Sequence, residues 1–120
     1  MTRAEFEQMD SGSQKRYAKE QYPKVCKQIT EELHDNGEYK CKICHVNNFS
    51  HFHHIWFRSH CGTWWTFQRE NLIPVCFNCH PYKIHDAPHR LEPGQKQMLE
   101  ALRKEIISKD IQEKLELGIK

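Results

Sequence analysis

The hydrophobic and polar positions of residues 1–37 follow helical spacing. The segment AEFEQM predicts a short first helix, and serines just before QKRYAKEQY suit the cap of a second helix. Pro23 suits the first turn of a third helix, PKVCKQITEELHD, and Gly37 is a typical C-terminal stop. Apolar residues of this third helix lie four apart on one face: Val25, Ile29 and Leu33. We therefore expect three N-terminal helices.

The central segment, residues 38–90, changes to short β-like runs. HFHHIWF and NLIPVC have the composition of strands, and the loop between them, SHCGTWWTFQRE, is rich in aromatic and polar residues. HPYKIHD, which follows Cys79, suits one or two turns of helix. Pro88 and the Pro93-Gly94 pair then break the chain. The pattern predicts a β-hairpin followed by a short helix.

From Gln95 to about Leu117 the pattern is helical again. Apolar residues recur at spacings of three and four: Met98, Leu99, Leu102, Ile106, Ile107, Ile111 and Leu115. We expect this stripe to pack on the rest of the domain, with a homodimer interface or a ligand-binding face as the alternatives. The predicted fold class is α+β: an N-terminal helical segment (1–37), a core (38–90) and a C-terminal amphipathic helix (91–120), all in a single compact domain.

Composition and charge narrow the class of protein. The chain has 120 residues with 18 Lys and Arg against 16 Asp and Glu, a balance that neither requires nor repels a polyanion. The centre is the more basic part, because residues 38–90 carry six Lys or Arg and three Asp or Glu. No apolar run approaches the roughly 18 residues that would span a bilayer, and the N-terminus lacks the apolar stretch of a signal peptide. We therefore expect an intracellular protein without a membrane partner.

Two cysteine pairs carry the clearest metal signal. CKIC and CFNC are C-x-x-C units, and two such turns supply the tetrahedral thiolate shell of a structural zinc ion: Cys41, Cys44, Cys76 and Cys79. In an intracellular protein, paired cysteines indicate metal ligands or free thiols rather than disulfides. A four-cysteine site is saturated, so it stabilises the fold and leaves no position for catalysis. Cys26 is expected to be a small core residue, and Cys61 has no predicted role.

The histidines need a separate explanation once the cysteines hold zinc. Side chains alternate along a strand, so His51 and His53 point to one face and His54 to the other. A hairpin closed by zinc brings His80 beside this strand. His53 and His80 are then candidates for one divalent ion, and His54 is a candidate general base at neutral pH.

The ordered set CKIC, HHI, NLIPVC and CFNCH, within residues 41–85, resembles the HNH endonuclease family, in the branch with two C-x-x-C pairs. The resemblance implies a small ββα-metal core that is stapled by zinc and flanked by the helices. It implies that His54 is the general base and that His53 and His80 hold the catalytic ion. It also implies that Asn71 fixes the loop and hairpin geometry that orients the base.

One position departs from the family pattern. The colicin-type nucleases have a further histidine four residues after the His80 position, where this chain has Ile84, and His85 comes one residue later. One residue rotates a side chain by about 100° on an α-helix. Whether His85 is a third ligand, a phosphate contact or neither therefore stays open.

The predicted function is a metal-dependent endonuclease that hydrolyses DNA phosphodiester bonds, with structural Zn²⁺ and a catalytic Mg²⁺, Mn²⁺ or Ni²⁺ ion. The DNA is expected to be double-stranded or branched, in a phage or bacterial setting. Candidate nucleic-acid contacts are Arg58, Trp64, Trp65, Arg69 and Lys83, and the tryptophans are equally suited to the core. The alternative is a non-catalytic zinc module that binds nucleic acid or protein, such as a partner of phage packaging or recombination proteins.

Overall fold

A computed structural model of the chain describes residues 1–85 and 88–118, without the side chains of residues 81–83. Its regular elements are α1 (Arg3–Glu7), α2 (Ser11–Asp35), β1 (His51–His54), α3 (Gly62–Trp65), β2 (Leu72–Val75) and α4 (Pro93–Leu117). Short 3₁₀ turns span Arg69–Asn71 and Pro88–Arg90, and a π-helical turn spans His80–His85. The described residues thus form one two-stranded antiparallel sheet with four α-helices, which confirms the α+β class.

The N-terminal segment forms two helices instead of the three predicted. α1 begins at a capping box, in which Thr2 and Glu5 exchange hydrogen bonds between side chain and backbone. α2 continues through Pro23, so the prediction of a helix that begins there is wrong. The reason lies in packing: Ala18 and Ile29 are both buried and lie 11 residues apart, which is close to three full turns. One unbroken helix keeps both on the packed face, and this burial offsets the hydrogen bond that proline removes.

The sheet pairs β1 with β2 so that His51 lies opposite Val75, His53 opposite Ile73 and His54 opposite Leu72. The rings of His51 and His53 both approach His80, with centroid distances of 5.9 and 5.3 Å. The ring of His54, on the other face, stacks on Tyr22 of α2 at 5.5 Å. The strand alternation therefore separates His53 from His54 as expected.

The main core lies between the hairpin, the cysteine pairs and the first half of α4. Its buried aliphatic and aromatic members are Ile43, Ile55, Trp65, Ile73, Val75, Ile84 and Ile106. A smaller cluster, Phe6, Ala18 and Phe67, joins α1 and α2 to the segment after α3. The carboxylate of Asp110 links three helices, because it accepts hydrogen bonds from Arg3 of α1 (2.6 Å) and Trp65 of α3 (2.9 Å).

The apolar stripe of α4 is only partly covered. Ile106 is buried and Met98, Leu99 and Leu102 pack beside it, whereas the side chain of Leu115 is 77% exposed. The prediction that the whole stripe packs on the domain is therefore wrong for its C-terminal half, since the 25-residue helix outruns the short hairpin that it covers. In the described ranges, no helix has both the length and the apolar character needed to cross a membrane.

Candidate functional site

Four thiols meet at the open end of the hairpin, where β1 begins and β2 ends. The Sγ atoms of Cys41, Cys44, Cys76 and Cys79 all lie within 4.8 Å of one another. The backbone of each C-x-x-C turn is folded back on itself, with the N–H of His45 donating to Cys41 O and the N–H of His80 donating to Cys76 O, both at 3.0 Å. Such turns aim two sulfurs at one point, so the four thiols are placed to hold a metal ion such as zinc.

The protonation of these thiols also suits a cation. Burial raises the pKa of Cys41, and burial with the neighbouring thiols raises that of Cys79. Burial acts the same way on Cys76, but the backbone N–H of Cys79 and the amide of Asn47 outweigh it and lower the pKa of Cys76 to about 6. Burial also raises the pKa of Cys44, but hydrogen bonds from the backbone N–H groups of Asn47 and Val46 outweigh it and leave the pKa below that of a free thiol. Two of the four sulfurs, Cys44 and Cys76, thus lose a proton more readily than a free thiol, and a divalent ion would displace the protons of the others.

A second group of potential ligands consists of imidazoles. The nearest ring nitrogens of His53, His80 and His85 lie within 4.8 Å of one another, and Nε2 of His80 is 3.0 Å from Nε2 of His85. His53 is buried, His80 is half-buried and His85 is exposed, so the group opens to solvent on one side. Three imidazoles with one open side are typical of a metal site that keeps room for water or substrate.

The π-helical turn explains how His85 joins this group. Its winding is visible in the hydrogen bond from Ile84 N–H to Cys79 O at 2.9 Å, which spans five residues instead of four. A π turn brings residue i+5, not i+4, over residue i, so His85 lies over His80 and Ile84 turns into the core, 5% exposed. The wider turn thus brings His85, and not position 84, into the imidazole group, which α-helical spacing does not anticipate.

The buried member of the imidazole group lacks the partner that a metal would supply. Within the described part of the chain, Nδ1 of His53 is the one buried side-chain nitrogen or oxygen with no hydrogen-bond partner. Burial, reinforced by the nearby imidazoles of His85, His80 and His54, lowers the pKa of His53 to about 3. His53 is therefore neutral at pH 7, which is the form that ligates a metal, and the group fits a divalent ion.

His54 is held apart from the other imidazoles by two contacts. Its Nε2 lies 2.9 Å from the carbonyl oxygen of Thr66, and its ring stacks on Tyr22 with an interplanar angle of 19°. Because a carbonyl only accepts, Nε2 carries the proton and Nδ1 keeps the lone pair. Burial lowers the pKa of His54, although its hydrogen bond with Thr66 acts in the opposite direction.

Tyr22 is a site residue that the sequence did not indicate. It lies in α2, outside the segment that carries the motifs, and helical spacing does not tell which of its faces meets the hairpin. Burial, with a smaller effect of the adjacent Cys26 thiol, raises the pKa of Tyr22 to about 12, so its ring stays neutral against His54. Cys26 itself is half-buried beside it, and Cys61 is buried in the main core.

Asn71 connects the loop to the hairpin. It is fully buried, at the end of the 3₁₀ turn that leads into β2. Its Oδ1 accepts from the backbone N–H of Trp56 (2.6 Å), and its Nδ2 donates to the carbonyls of Trp56 (3.1 Å) and Trp65 (3.0 Å). One side chain therefore fixes both the residues just after β1 and the end of α3.

The residues predicted to contact nucleic acid differ in solvent exposure and in ion pairing. Arg58 is exposed, while Arg69 is exposed but paired with Glu32. Trp65 is 1% exposed and packed in the core. It is therefore a core residue, in line with the alternative prediction for the tryptophans, and it is not placed to contact bases. Trp64 is half-buried against Phe6 and Phe67. Lys83 has a side chain outside the described residues.

Comparison of the chain with models of known protein families, with curated proteins and with solved structures gives no match. The resemblance to the HNH endonucleases thus stays a prediction, based on the motifs of residues 41–85. Independently of it, the structure brings together four cysteines in one group and three histidines in another, with His54 on the opposite face of β1 from His53.

Proposed function

We propose that this chain is a metal-dependent endonuclease of the HNH type, which hydrolyses phosphodiester bonds of DNA. The observation that carries the proposal is the grouping of ring nitrogens of His53, His80 and His85 within 4.8 Å, together with a fourth imidazole, that of His54, which follows His53 in β1 and is oriented separately. A purely structural zinc module would need the four cysteines but not this second group. The separate orientation of His54 supports a role in proton transfer.

The three grouped imidazoles would hold one divalent ion. When bound, such an ion neutralises charge on the phosphate and stabilises the leaving oxygen. The open side of the group leaves space for the substrate, since His85 is exposed. The neutral state of His53 means that no proton has to be displaced before it ligates.

His54 would act as the general base. A water oxygen attacks phosphorus while Nδ1 of His54 takes the water proton, and the P–O bond to the leaving oxygen breaks with its electron pair. The hydrogen bond to Thr66 holds the proton on Nε2, which keeps Nδ1 ready to accept. The lowered pKa of His54 keeps this imidazole neutral at pH 7, where a general base must be unprotonated.

The four cysteines would hold a structural zinc ion that supports the catalytic hairpin. The strands are four residues each, so the hairpin buries little apolar surface by itself. Zinc would tie the segment before β1 to the turn after β2 and so place His80 beside β1. Hydrolysis would then depend on the cysteines only through the fold.

The test is cleavage of supercoiled plasmid by the zinc-loaded protein, with Mg²⁺, Mn²⁺ or Ni²⁺ added. His54→Ala is expected to lower the rate by about 10²- to 10⁴-fold, the usual contribution of a general base. His89→Ala is the matched control, because His89 is an exposed histidine outside both groups, and it should cleave like the wild type. Equal rates for His54→Ala and the wild type would refute the proposal.

A further inference from the structure

A cleft separates α2 from the segment that connects the two strands. Its volume is about 810 Å³, which lies within the range of ligand-binding clefts. Tyr22 lines it from α2 and His54 from β1, and Thr63 and Thr66 line it from α3 and the residue that follows. The imidazole proposed as the general base is therefore reached from this cleft.

The charges of the cleft are all of one sign. Lys15 and Lys19 of α2 and Arg58 of the connecting segment line it, and no carboxylate is among the described residues that do so. Lys15 and Lys19 lie four residues apart, so both project from one face of α2 at a separation of roughly 6 Å along the axis. The lining of the cleft therefore carries a charge of +3, whereas the net charge of the whole chain is +2.

These three cations are also unpaired. None of them forms an ion pair with a described residue, and all three are exposed. Some cations elsewhere have carboxylate partners, such as Arg3 with Asp110, Lys109 with Glu70 and Arg69 with Glu32, whereas others, such as Lys24 and Lys27, have none in the described part of the chain. What distinguishes the cleft is that three unpaired cations line one cavity. The cleft therefore has a positive potential that this chain does not neutralise, and it would attract an anion.

We propose that this cleft binds the phosphodiester backbone of duplex DNA, with Lys15 and Lys19 of α2 and Arg58 as its phosphate contacts. The choice of DNA as the anion rests on the proposed function. The three cations line the same cleft as His54, so a strand that they hold in the cleft would lie within reach of the proposed base. α2, which lies outside the motif segment, would thus supply part of the substrate-binding surface.

The number of contacts is measurable, because each neutralised phosphate releases counterions. For duplex DNA the slope of log Kobs against log salt is about −0.9 for each contact. Lys15→Gln combined with Lys19→Gln should therefore make the slope shallower by about 1.8. Between about 50 and about 200 mM salt, the double variant should lose about 12-fold less affinity than its parent, and at the lower salt it should bind more weakly.

Binding is measured by fluorescence anisotropy with a labelled duplex, in zinc-loaded protein that also carries His54→Ala, so that the DNA is not consumed. The matched control is Lys24→Gln with Lys27→Gln, which removes the same charge from exposed lysines of the same helix that do not line the cleft. The control should keep the slope of its parent to within about 0.5, since long-range charge effects are screened.

The outcomes separate this inference from the proposed function. Equal changes of slope in the two double variants, or no change in either, would overturn the inference even if the wild type cleaves plasmid. A selective change in the Lys15 and Lys19 variant would support the cleft even if no plasmid is cleaved, in which case the protein binds DNA without hydrolysing it. An absence of any binding to duplex DNA would overturn the inference as well.

Discussion

Removal of the Asn71 side chain should destabilise the hairpin and the loop together. Asn71→Ala deletes three hydrogen bonds and leaves the N–H of Trp56 and the carbonyls of Trp56 and Trp65 without this partner. Each bond contributes about 1 kcal/mol net, and a buried group left unpaired costs about 1 to 3 kcal/mol. Because Asn71 is fully buried, we expect the free energy of unfolding to fall by about 3 to 5 kcal/mol.

This loss is large relative to the stability of a chain of 120 residues, for which about 0.05 kcal/mol per residue gives about 6 kcal/mol as a lower value. The assay is urea denaturation of the zinc-loaded protein, followed by circular dichroism. Asn36→Ala is the control, because Asn36 is exposed and contributes only its backbone to the end of α2. A loss below about 1 kcal/mol for Asn71→Ala would mean that these three contacts do not hold the loop on the hairpin.

Two further predictions concern the π turn and the buried carboxylate. His85→Ala should weaken binding of an added divalent ion to the zinc-saturated protein by at least about 10-fold. Loss of a residue that only hydrogen-bonds to a metal ligand already has an effect of about this size, and His85 is a proposed ligand itself. A variant in which Ile84 and His85 exchange places should also bind the ion weakly in calorimetric titrations, because the π turn directs position 84 into the core. Wild-type affinity in this exchanged variant would refute the role of the π turn. Burial raises the pKa of Asp110, but hydrogen bonds from Trp65 and Arg3 outweigh it, so its folded pKa lies below the unfolded value of about 3.9. Its charge therefore stabilises the fold above about pH 4, and this contribution is lost as pH falls through the folded pKa. Denaturation curves of Asp110→Asn at several pH values should differ from the wild type most at neutral pH and converge with it in acid; a constant difference would contradict this assignment.

The features that follow from short-range rules could be predicted from the sequence. Strand alternation separates His53 from His54, and the two-residue spacing within each C-x-x-C unit brings its two cysteines together, because both depend on local geometry alone. The family resemblance points to Asn71, and the structure gives its side chain three hydrogen bonds with the backbone of Trp56 and Trp65.

Features that depend on remote contacts could not be predicted. Pro23 is a sound local signal for a helix start, but the burial of Ala18 and Ile29 on one face overrides it. Tyr22 meets His54, and Asp110 meets Trp65, across 32 and 45 residues of chain, and no periodicity reports such pairs. The contact of His85 with His80 depends on whether the turn after Cys79 is α-helical or π-helical, and residue spacing alone does not predict that.

The dependence of cleavage on added metal tests the central claim most directly. Zinc-loaded protein should leave supercoiled plasmid intact without a further divalent ion and nick or cut it when Mg²⁺, Mn²⁺ or Ni²⁺ is added. His80→Ala should abolish this response while the zinc content stays at one ion per chain. Cleavage that needs no added ion, or an intact plasmid with all three ions, would contradict the account.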